Sequence, residues 1–195
     1  MKKDTLLKEL AEQGYCVGLG AKKNFATYDI VNTIPKLVGL TTLVIGIIQL
    51  RFPENSYNLD ISTALIVVSI FSLYTAYNYP DECEYEDAGK ECTQIFNGLR
   101  NLYYEVKDSD KQDLSEYITR KEELMKKFYD ISISNQMFLL SDWLGHFKFF
   151  YQMQIEWIDE QKNFKFWKDK VPNSAKLTGG LLIIILVAIL IIRYI

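Results

Sequence analysis

The fold is decided by two apolar runs, LVGLTTLVIGIIQL at Leu37–Leu50 and ISTALIVVSIFSLYTAY at Ile61–Tyr77, which a short polar link separates. Crossing the hydrocarbon core of a bilayer, about 30 Å thick, takes roughly 20 apolar residues in a helix. The second run suits this requirement, and the first suits it when residues Ile34–Phe52 are counted, with Pro35 in the first helical turn. The sequence therefore predicts a transmembrane helical hairpin. The alternative is a buried helical hairpin of a soluble protein.

The composition of the rest of the chain excludes several classes of protein. The 195 residues carry a formal net charge of −3, which does not indicate a general nucleic-acid binder. Three cysteines, Cys16, Cys83 and Cys92, have no disulfide or zinc spacing and fit a reducing compartment. The single histidine, His146, argues against a histidine-based metal site or a Ser–His triad. Since the motifs of nucleotide-binding, metalloprotease and hydrolase sites are also missing, we expect no enzyme activity, metal or cofactor.

The distribution of positive charge predicts the orientation of the hairpin. Lysines precede the first apolar run at six positions: Lys2, Lys3, Lys8, Lys22, Lys23 and Lys36. The link between the runs carries a single positive charge, that of Arg51. Because cytoplasmic flanks are enriched in lysine and arginine, the N-terminus is expected in the cytoplasm and the link outside. Tyr74, Tyr77 and Tyr79 would form an aromatic belt at the inner interface. Residues 1–30 lack the apolar core of a signal peptide, so none is expected.

Helical periodicity extends through the polar parts of the chain. An amphipathic helix at the N-terminus is expected to break at Gly14, before a second piece leads into the membrane. Apolar residues at helical spacing predict two further helices, over Cys92–Val106 and Leu114–Phe128. Ser109 with Gln112 is a possible capping box between them.

The acidic stretch DECEYED, Asp81–Asp87, holds five carboxylates in seven residues. One interpretation is a cation-binding site or an electrostatic screen at a pore mouth. The favoured interpretation is a solvated helix start, because anions stabilise a helix N-terminus.

A long helix is predicted over residues 141–169. Trp143, Phe150, Trp157 and Phe164 recur every seven residues, which is compatible with a coiled coil to a second copy. The width of the apolar face favours packing within the protomer's own bundle.

The end of the chain predicts a further contact with the membrane. The basic aromatic stretch KNFKFWKDK, Lys162–Lys170, suits interfacial anchoring better than stacking on nucleic acid, because it lies beside an apolar run. Pro172 closes the preceding helix. The run Leu177–Ile192 then predicts a third membrane helix or a tail anchor.

Small and polar residues lie on one face of each predicted hairpin helix. They are Gly39, Thr42, Gly46 and Gln49 on the first helix and Ser62, Ser69, Ser72 and Ala76 on the second. Such residues let membrane helices approach closely and hydrogen-bond across the contact. Alternatively, the same strip lines a water-filled pore. A pore requires several copies, because two or three helices cannot enclose a channel. A homo-oligomer is therefore expected.

The stretch Gly18–Gly46, GLGAKKNFATYDIVNTIPKLVGLTTLVIG, resembles the opening of SLATT-domain proteins, two-transmembrane effectors associated with bacterial nucleotide-synthesising and SLOG sensor proteins. The residues that match the juxtamembrane motif are Gly18, Gly20, Ala21, Lys22, Lys23, Phe25, Tyr28 and Asp29. The resemblance implies a membrane-disrupting effector of anti-phage defence that a sensor releases. That partner would be a nucleotidyltransferase, a SLOG protein or a reverse transcriptase. The resemblance implies no catalytic role for the motif, and the third apolar run departs from its two-helix pattern.

These observations predict an all-α, multi-pass protein of the bacterial inner membrane with four parts. They are a cytoplasmic juxtamembrane segment (1–33), a transmembrane hairpin (34–79), a cytosolic helical bundle (80–172) and a C-terminal transmembrane helix (173–195). The expected function is an abortive-infection effector that oligomerises and permeabilises or depolarises the membrane when a sensor or nucleotide signal triggers it. The alternatives are a non-conducting scaffold that anchors a cytosolic defence enzyme, and a ligand-gated ion channel. The lipid bilayer is an expected partner, and direct binding of nucleic acid is not expected.

Overall fold

The computed structural model describes residues 2–78, 82–131, 140–181 and 183. Its helices are α1 (Lys3–Arg51), α2 (Asn58–Asn78), α3 (Glu82–Asp108), α4 (Ser115–Asp130), α5 (Ser141–Gln152) and α6 (Glu156–Lys162). A π-helical turn, Phe166–Lys170, follows, and residues 173–181 are again helical. Since the described residues contain no strand, the predicted all-α class is confirmed.

Helix α1 organises the molecule, because it contacts each of the helices α2 to α6. It has 49 residues, which at about 1.5 Å per residue give a length of roughly 74 Å. Its buried residues all precede Asn32, and the remainder, up to Arg51, is half-buried or exposed. One uninterrupted helix therefore supplies both the centre of the polar bundle and the first arm of the apolar hairpin.

The predicted break of α1 at Gly14 is wrong. Gly14 lies in the middle of the helix and is buried. A Cβ atom added there would lie 2.7 Å from Cζ2 of Trp157, so the missing side chain makes room for the indole ring. Glycine in a helix costs about 1 kcal/mol relative to alanine. Here the close approach of an aromatic side chain accounts for its presence.

The predicted position of Pro35 in a first helical turn is also wrong, because Pro35 lies deep inside α1. A proline in a helix interior removes one backbone hydrogen bond and crowds the carbonyl four residues earlier, here that of Val31. Ile30 and Val31 are buried, and Leu144 of α5 packs against them. This packing supports the helix immediately before the proline.

Helices α1, α3, α4, α5 and α6 share one hydrophobic core. Its largest fully buried side chains include Trp157, whose ring centroid lies 5.6 Å from that of Phe96 and 5.2 Å from that of Tyr103. Other members of the core are Leu6, Leu10, Val17, Cys92, Leu99, Leu102, Val106, Tyr117, Met125, Phe149, Phe150 and Ile158. The predicted packing of Phe150 and Trp157 within the protomer's own bundle is confirmed.

The single long helix predicted over residues 141–169 is wrong. Helix α5 ends at Gln152, and the chain turns before α6 begins. The turn brings Phe149 against Gly18 and Trp157 against Gly14. The two glycines are about 6 Å apart along α1, whereas residues 149 and 157 of one straight helix would be about 12 Å apart. The seven-residue aromatic spacing therefore reflects two helices that fill one core.

The predicted capping box of Ser109 with Gln112 is wrong as well. Helix α4 begins at Ser115, whose backbone N–H donates to Oδ1 of Asp113 at 3.0 Å. The hydroxyl of Ser109 instead accepts a hydrogen bond from the backbone N–H of Lys111 at 3.1 Å. Asp113 thus supports the start of the helix, and Ser109 stabilises the preceding loop.

Some sequence predictions lie outside the described residues. They include the place of Tyr79 in the aromatic belt, the first residue of the acidic stretch, Asp81, and most of the apolar run Leu177–Ile192. The division into four parts stays a prediction, and α1 crosses the expected boundary between residues 33 and 34 without interruption.

Candidate functional site in the membrane hairpin and the helix beneath it

The hairpin arms are exposed apolar helices. Both α1 and α2 contain a stretch long and apolar enough to cross a membrane, and only 11% of each stretch is buried. Exposed side chains along them include Leu40, Leu43, Ile47, Val67 and Leu73. A continuous apolar surface of this size is unfavourable in water and indicates a lipid environment. This exposure argues against the alternative of a buried hairpin in a soluble protein.

Hydrogen bonds join the two arms near the link. Nε2 of Gln49 donates to the backbone carbonyl of Asn58 at 3.0 Å and to Oγ of Ser62 at 3.1 Å. The amide of Asn58 also donates to the carbonyl oxygens of Phe52 and Pro53. Hydrogen bonds between membrane helices contribute about 0.6 kcal/mol on average. Gln49 therefore contributes to the register of α1 against α2 near the link.

A groove of about 320 Å³ lies between the arms. Five of the eight predicted small or polar residues line it, namely Thr42, Gly46, Gln49, Ser62 and Ser69. Leu65, Ile66, Ile70 and Leu73 complete its walls. The Oγ1 atom of Thr42 is buried and has no hydrogen-bond partner among the described residues. The groove thus combines apolar walls with a hydroxyl group, that of Thr42, which is free to form a hydrogen bond.

The other three predicted residues lie elsewhere. Gly39 and Ala76 are exposed, and Ser72 is buried nearer the C-terminal end of α2. A Cβ atom added at Gly39 or Gly46 would have no described atom within 4 Å, so neither glycine marks a close approach of helices within the protomer. Sequence reasoning missed Thr75, which is fully buried and whose hydroxyl donates to the carbonyl of Phe71 at 3.0 Å.

The residues Gly18 to Asp29 follow α1 from the bundle core toward the hairpin. Gly18 is buried, and a Cβ atom there would lie 2.8 Å from Phe149 and 2.9 Å from Phe96. Ala21 is fully buried. These residues form a smooth surface on which α3 and α5 dock.

Two ion pairs join the same part of α1 to α5. Nζ of Lys23 lies 2.5 Å from Oδ1 of Asp142, and Lys148 pairs with Asp29. Gly145 lies against the backbone of Lys23, where a Cβ atom would come within 2.8 Å of its Cα. Burial opposes ionisation of Asp142, but the hydrogen bond and charge of Lys23 outweigh it and lower the pKa of the carboxyl group. The juxtamembrane charges thus hold α5 on α1.

A sequence model of the family "SMODS and SLOG-associating 2TM effector domain 6" matches residues 1–179. The chain belongs to this SLATT family. It is therefore an effector domain of the transmembrane type, associated with defence systems. The two exposed apolar helices agree with the two membrane spans in the family's description. No curated protein and no solved structure matches the chain.

The remaining SLATT motif residues have structural surroundings of two kinds. Phe25 packs on Gly89 of α3, and Gly20 faces Phe128 of α4 with ordinary van der Waals space. Tyr28 is half-buried. Lys22 lies 5.8 Å above the ring of Phe25, and its pKa is lowered, first by burial and then by the positive charge of Lys148. The motif therefore combines packing contacts with one cation in an unfavourable environment.

A polar residue that sequence reasoning missed lies within the SLATT motif. Asn24 is fully buried, and its Nδ2 donates to the carbonyl of Gly20 at 3.0 Å. Its Oδ1 finds no partner in the described part of the chain. An unsatisfied buried acceptor costs about 1 to 3 kcal/mol. Asn24 lies three residues after Ala21 and seven after Val17, on the buried face of the helix. A polar residue at this helical spacing is the signal that could have identified Asn24 from the sequence.

The acidic stretch of this SLATT chain lies at the start of α3. Lys90 pairs with Glu86 at 2.8 Å and with Asp87 at 3.4 Å. Across residues 2–78, 82–131, 140–181 and 183, no group of three or more His, Cys, Asp or Glu side chains could hold a metal ion. The ion pairs support the interpretation as a solvated helix start, and the cation-binding interpretation stays a prediction.

Proposed function

We propose that this chain is a membrane effector of anti-phage defence that assembles into a homo-oligomer and permeabilises or depolarises the inner membrane when a partner triggers it. The groove between α1 and α2 carries this proposal. Thr42, Gln49, Ser62 and Ser69 place polar atoms along an otherwise apolar hairpin. Such atoms support a wetted path when neighbouring hairpins enclose them. Since one hairpin cannot enclose a lumen, the open state requires several copies.

The continuous helix α1 supports a route from trigger to membrane. The same helix contacts the bundle through Gly18 and Lys23 and forms the hairpin groove through Thr42. No loop separates these residues. A partner that binds the bundle more tightly in one arrangement of α5 on α1 would therefore bias the position of the hairpin. The family's description names SMODS and SLOG proteins, which makes a nucleotidyltransferase or a SLOG protein the expected class of partner.

Orientation follows from charge in this proposal. The N-terminus and the bundle lie in the cytoplasm, because lysines precede the hairpin and the link carries only Arg51. A cytoplasmic bundle is accessible to a cytosolic sensor. The motif residues Lys23 and Asp29, on the bundle side of the hairpin, then lie at the inner surface.

Ion flux tests the proposal against its alternatives. The purified chain in proteoliposomes should release a trapped dye or dissipate a potassium gradient when a triggering partner is added, and cells should depolarise only when the defence gene that encodes this partner is co-expressed. A scaffold that anchors an enzyme would produce neither effect. A ligand-gated channel of ordinary ion homeostasis would conduct without the defence gene. Absence of flux in both systems, with the oligomer verified by cross-linking, would refute the proposal.

A further inference from the structure

We propose that residues 162–176 form a binding surface for the anionic headgroups of the inner leaflet, in which lysines contact lipid phosphates and two aromatic rings enter the acyl boundary. The rings are those of Phe166 and Trp167 in the π-helical turn. Phe166 is 54% exposed and Trp167 is 75% exposed. Their centroids lie 5.6 Å apart at an interplanar angle of 90°. Large aromatic side chains that a protein leaves uncovered are favoured at headgroup level.

The charge of the segment suits an anionic partner. Residues 162–176 contain five lysines and one aspartate, a net charge of +4. The aspartate, Asp169, is engaged, since its Oδ2 accepts a hydrogen bond from the backbone N–H of Lys165 at 2.9 Å. Within the described ranges, Lys165, Lys168 and Lys170 form no ion pair. Lys165 and Lys168 are exposed, so their charges are available to phosphate groups, whereas Lys170 is half-buried and its Nζ lies 5.9 Å from the ring centroid of Phe150.

The segment leads directly into an exposed apolar helix, which places it beside the membrane. Residues 173–181 continue it as a helix, on which Leu177 and Leu181 are 76% and 59% exposed. Nζ of Lys176, at the start of this helix, donates to the carbonyl of Lys168 at 3.3 Å and so ties the π-helical turn to it. A lipid surface accommodates both the apolar helix and the basic aromatic turn before it.

The surface is connected to the motif beneath the hairpin. Nε2 of His146 on α5 donates to the carbonyl of Asp169 at 2.7 Å, and Nε1 of Trp143 donates to Oγ of Ser174 at 2.9 Å. Asp142 of the same helix pairs with Lys23 of α1. Headgroup binding would therefore hold α5 at the inner surface of the membrane.

The experiment uses the full chain in nanodiscs with an increasing fraction of DOPG in DOPC. Acrylamide quenching of Trp167 is obtained as the difference between the wild type and Trp167→Phe. DOPG should protect Trp167 from acrylamide, and high salt should reverse part of that protection because exposed charges are screened. In Lys165→Gln/Lys168→Gln, most of the protection that DOPG confers should be lost at every DOPG fraction, because these two lysines attract the anionic surface.

The matched control is Lys126→Gln/Lys127→Gln, which removes two exposed lysines of α4. This control should leave the protection unchanged. Equal quenching of Trp167 in DOPC and DOPG, or equal loss of protection in both double variants, would overturn the assignment. Strong protection in pure DOPC would also overturn it, because that result indicates an anchor indifferent to headgroup charge.

Discussion

Nζ of Lys23 on α1 lies 2.5 Å from Oδ1 of Asp142 on α5, and Oδ2 of the same carboxylate accepts a hydrogen bond from Ser174 at 3.3 Å. One side chain thus links the helix that forms the hairpin to the segment that begins helix 173–181. The contact lies at the level where α1 leaves the bundle. Its strength bears on how firmly α5 is held against α1.

Removal of this ion pair should loosen α5. The side chains of Lys23 and Asp142 are 31% and 42% exposed, so solvent screening limits the expected loss for Lys23→Met to about 1 kcal/mol or less. Hydrogen exchange of α5 amides should accelerate. The double reversal Lys23→Asp/Asp142→Lys should restore protection, and the exposed control Lys90→Met should have no effect on α5. Unchanged exchange in Lys23→Met would show that the pair does not hold α5.

Acid should weaken the same contact. The pKa of Asp142 in the folded chain lies below its ordinary value, so its stabilisation is complete above the unfolded pKa of about 3.9 and is lost as the pH falls through the folded pKa. In detergent micelles, the wild type should lose more stability than Asp142→Asn between neutral pH and pH values below about 4. If the stability of the two proteins fell in parallel with pH, the result would contradict a lowered pKa of Asp142.

Two glycines of the SLATT motif should respond in opposite directions to alanine. A Cβ at Gly18 would lie 2.8 Å from Phe149 and 2.9 Å from Phe96, whereas at Gly20 the nearest atom, of Phe128, is 3.8 Å away. In Gly18→Ala, the cost of overpacking should exceed the gain in helix propensity and lower the free energy of unfolding by about 1 to 2 kcal/mol. Gly20→Ala should stabilise by up to about 1 kcal/mol. Thermal unfolding measures both, and a rise in Tm for Gly18→Ala would contradict the packing account.

Cysteine labelling of intact cells tests the orientation. In a background with Cys16→Ser and Cys83→Ser, Ser56→Cys in the link should react with a membrane-impermeant maleimide, and Asp110→Cys should react only after lysis. Native Cys92 should stay unmodified, because burial raises the pKa of its thiol to about 11 and the thiolate is the reactive form. Labelling of position 110 from outside would refute the cytoplasmic bundle.

The hairpin could be predicted from the sequence because length and uniform apolarity determine it locally. The role of Gly14 could not be predicted, because the sequence does not distinguish a glycine that breaks a helix from one that makes room for an aromatic ring. The ring that packs on Gly14 belongs to Trp157, which is distant in sequence. The turn after Gln152 could not be predicted either, because it contains no proline or glycine. The Lys23–Asp142 pair joins residues too far apart for any periodicity to relate them. In the groove, Thr42 and Ser69 could be predicted as candidates, whereas their shared cavity required the packing of α1 on α2.

In the proposed open state, the polar groove of the hairpin lines the path through the membrane. Dye entry into triggered cells tests it most directly when Thr42→Leu/Ser69→Leu is compared with Thr41→Leu/Thr63→Leu, which makes comparable changes at exposed positions of the two arms. Leucine is favourable in a bilayer, so both variants should reach the membrane at normal abundance. The groove variant should lose dye entry, because an apolar lumen dewets, and the control should retain it. Full dye entry in the groove variant at normal abundance would contradict a pore-lining role of the groove.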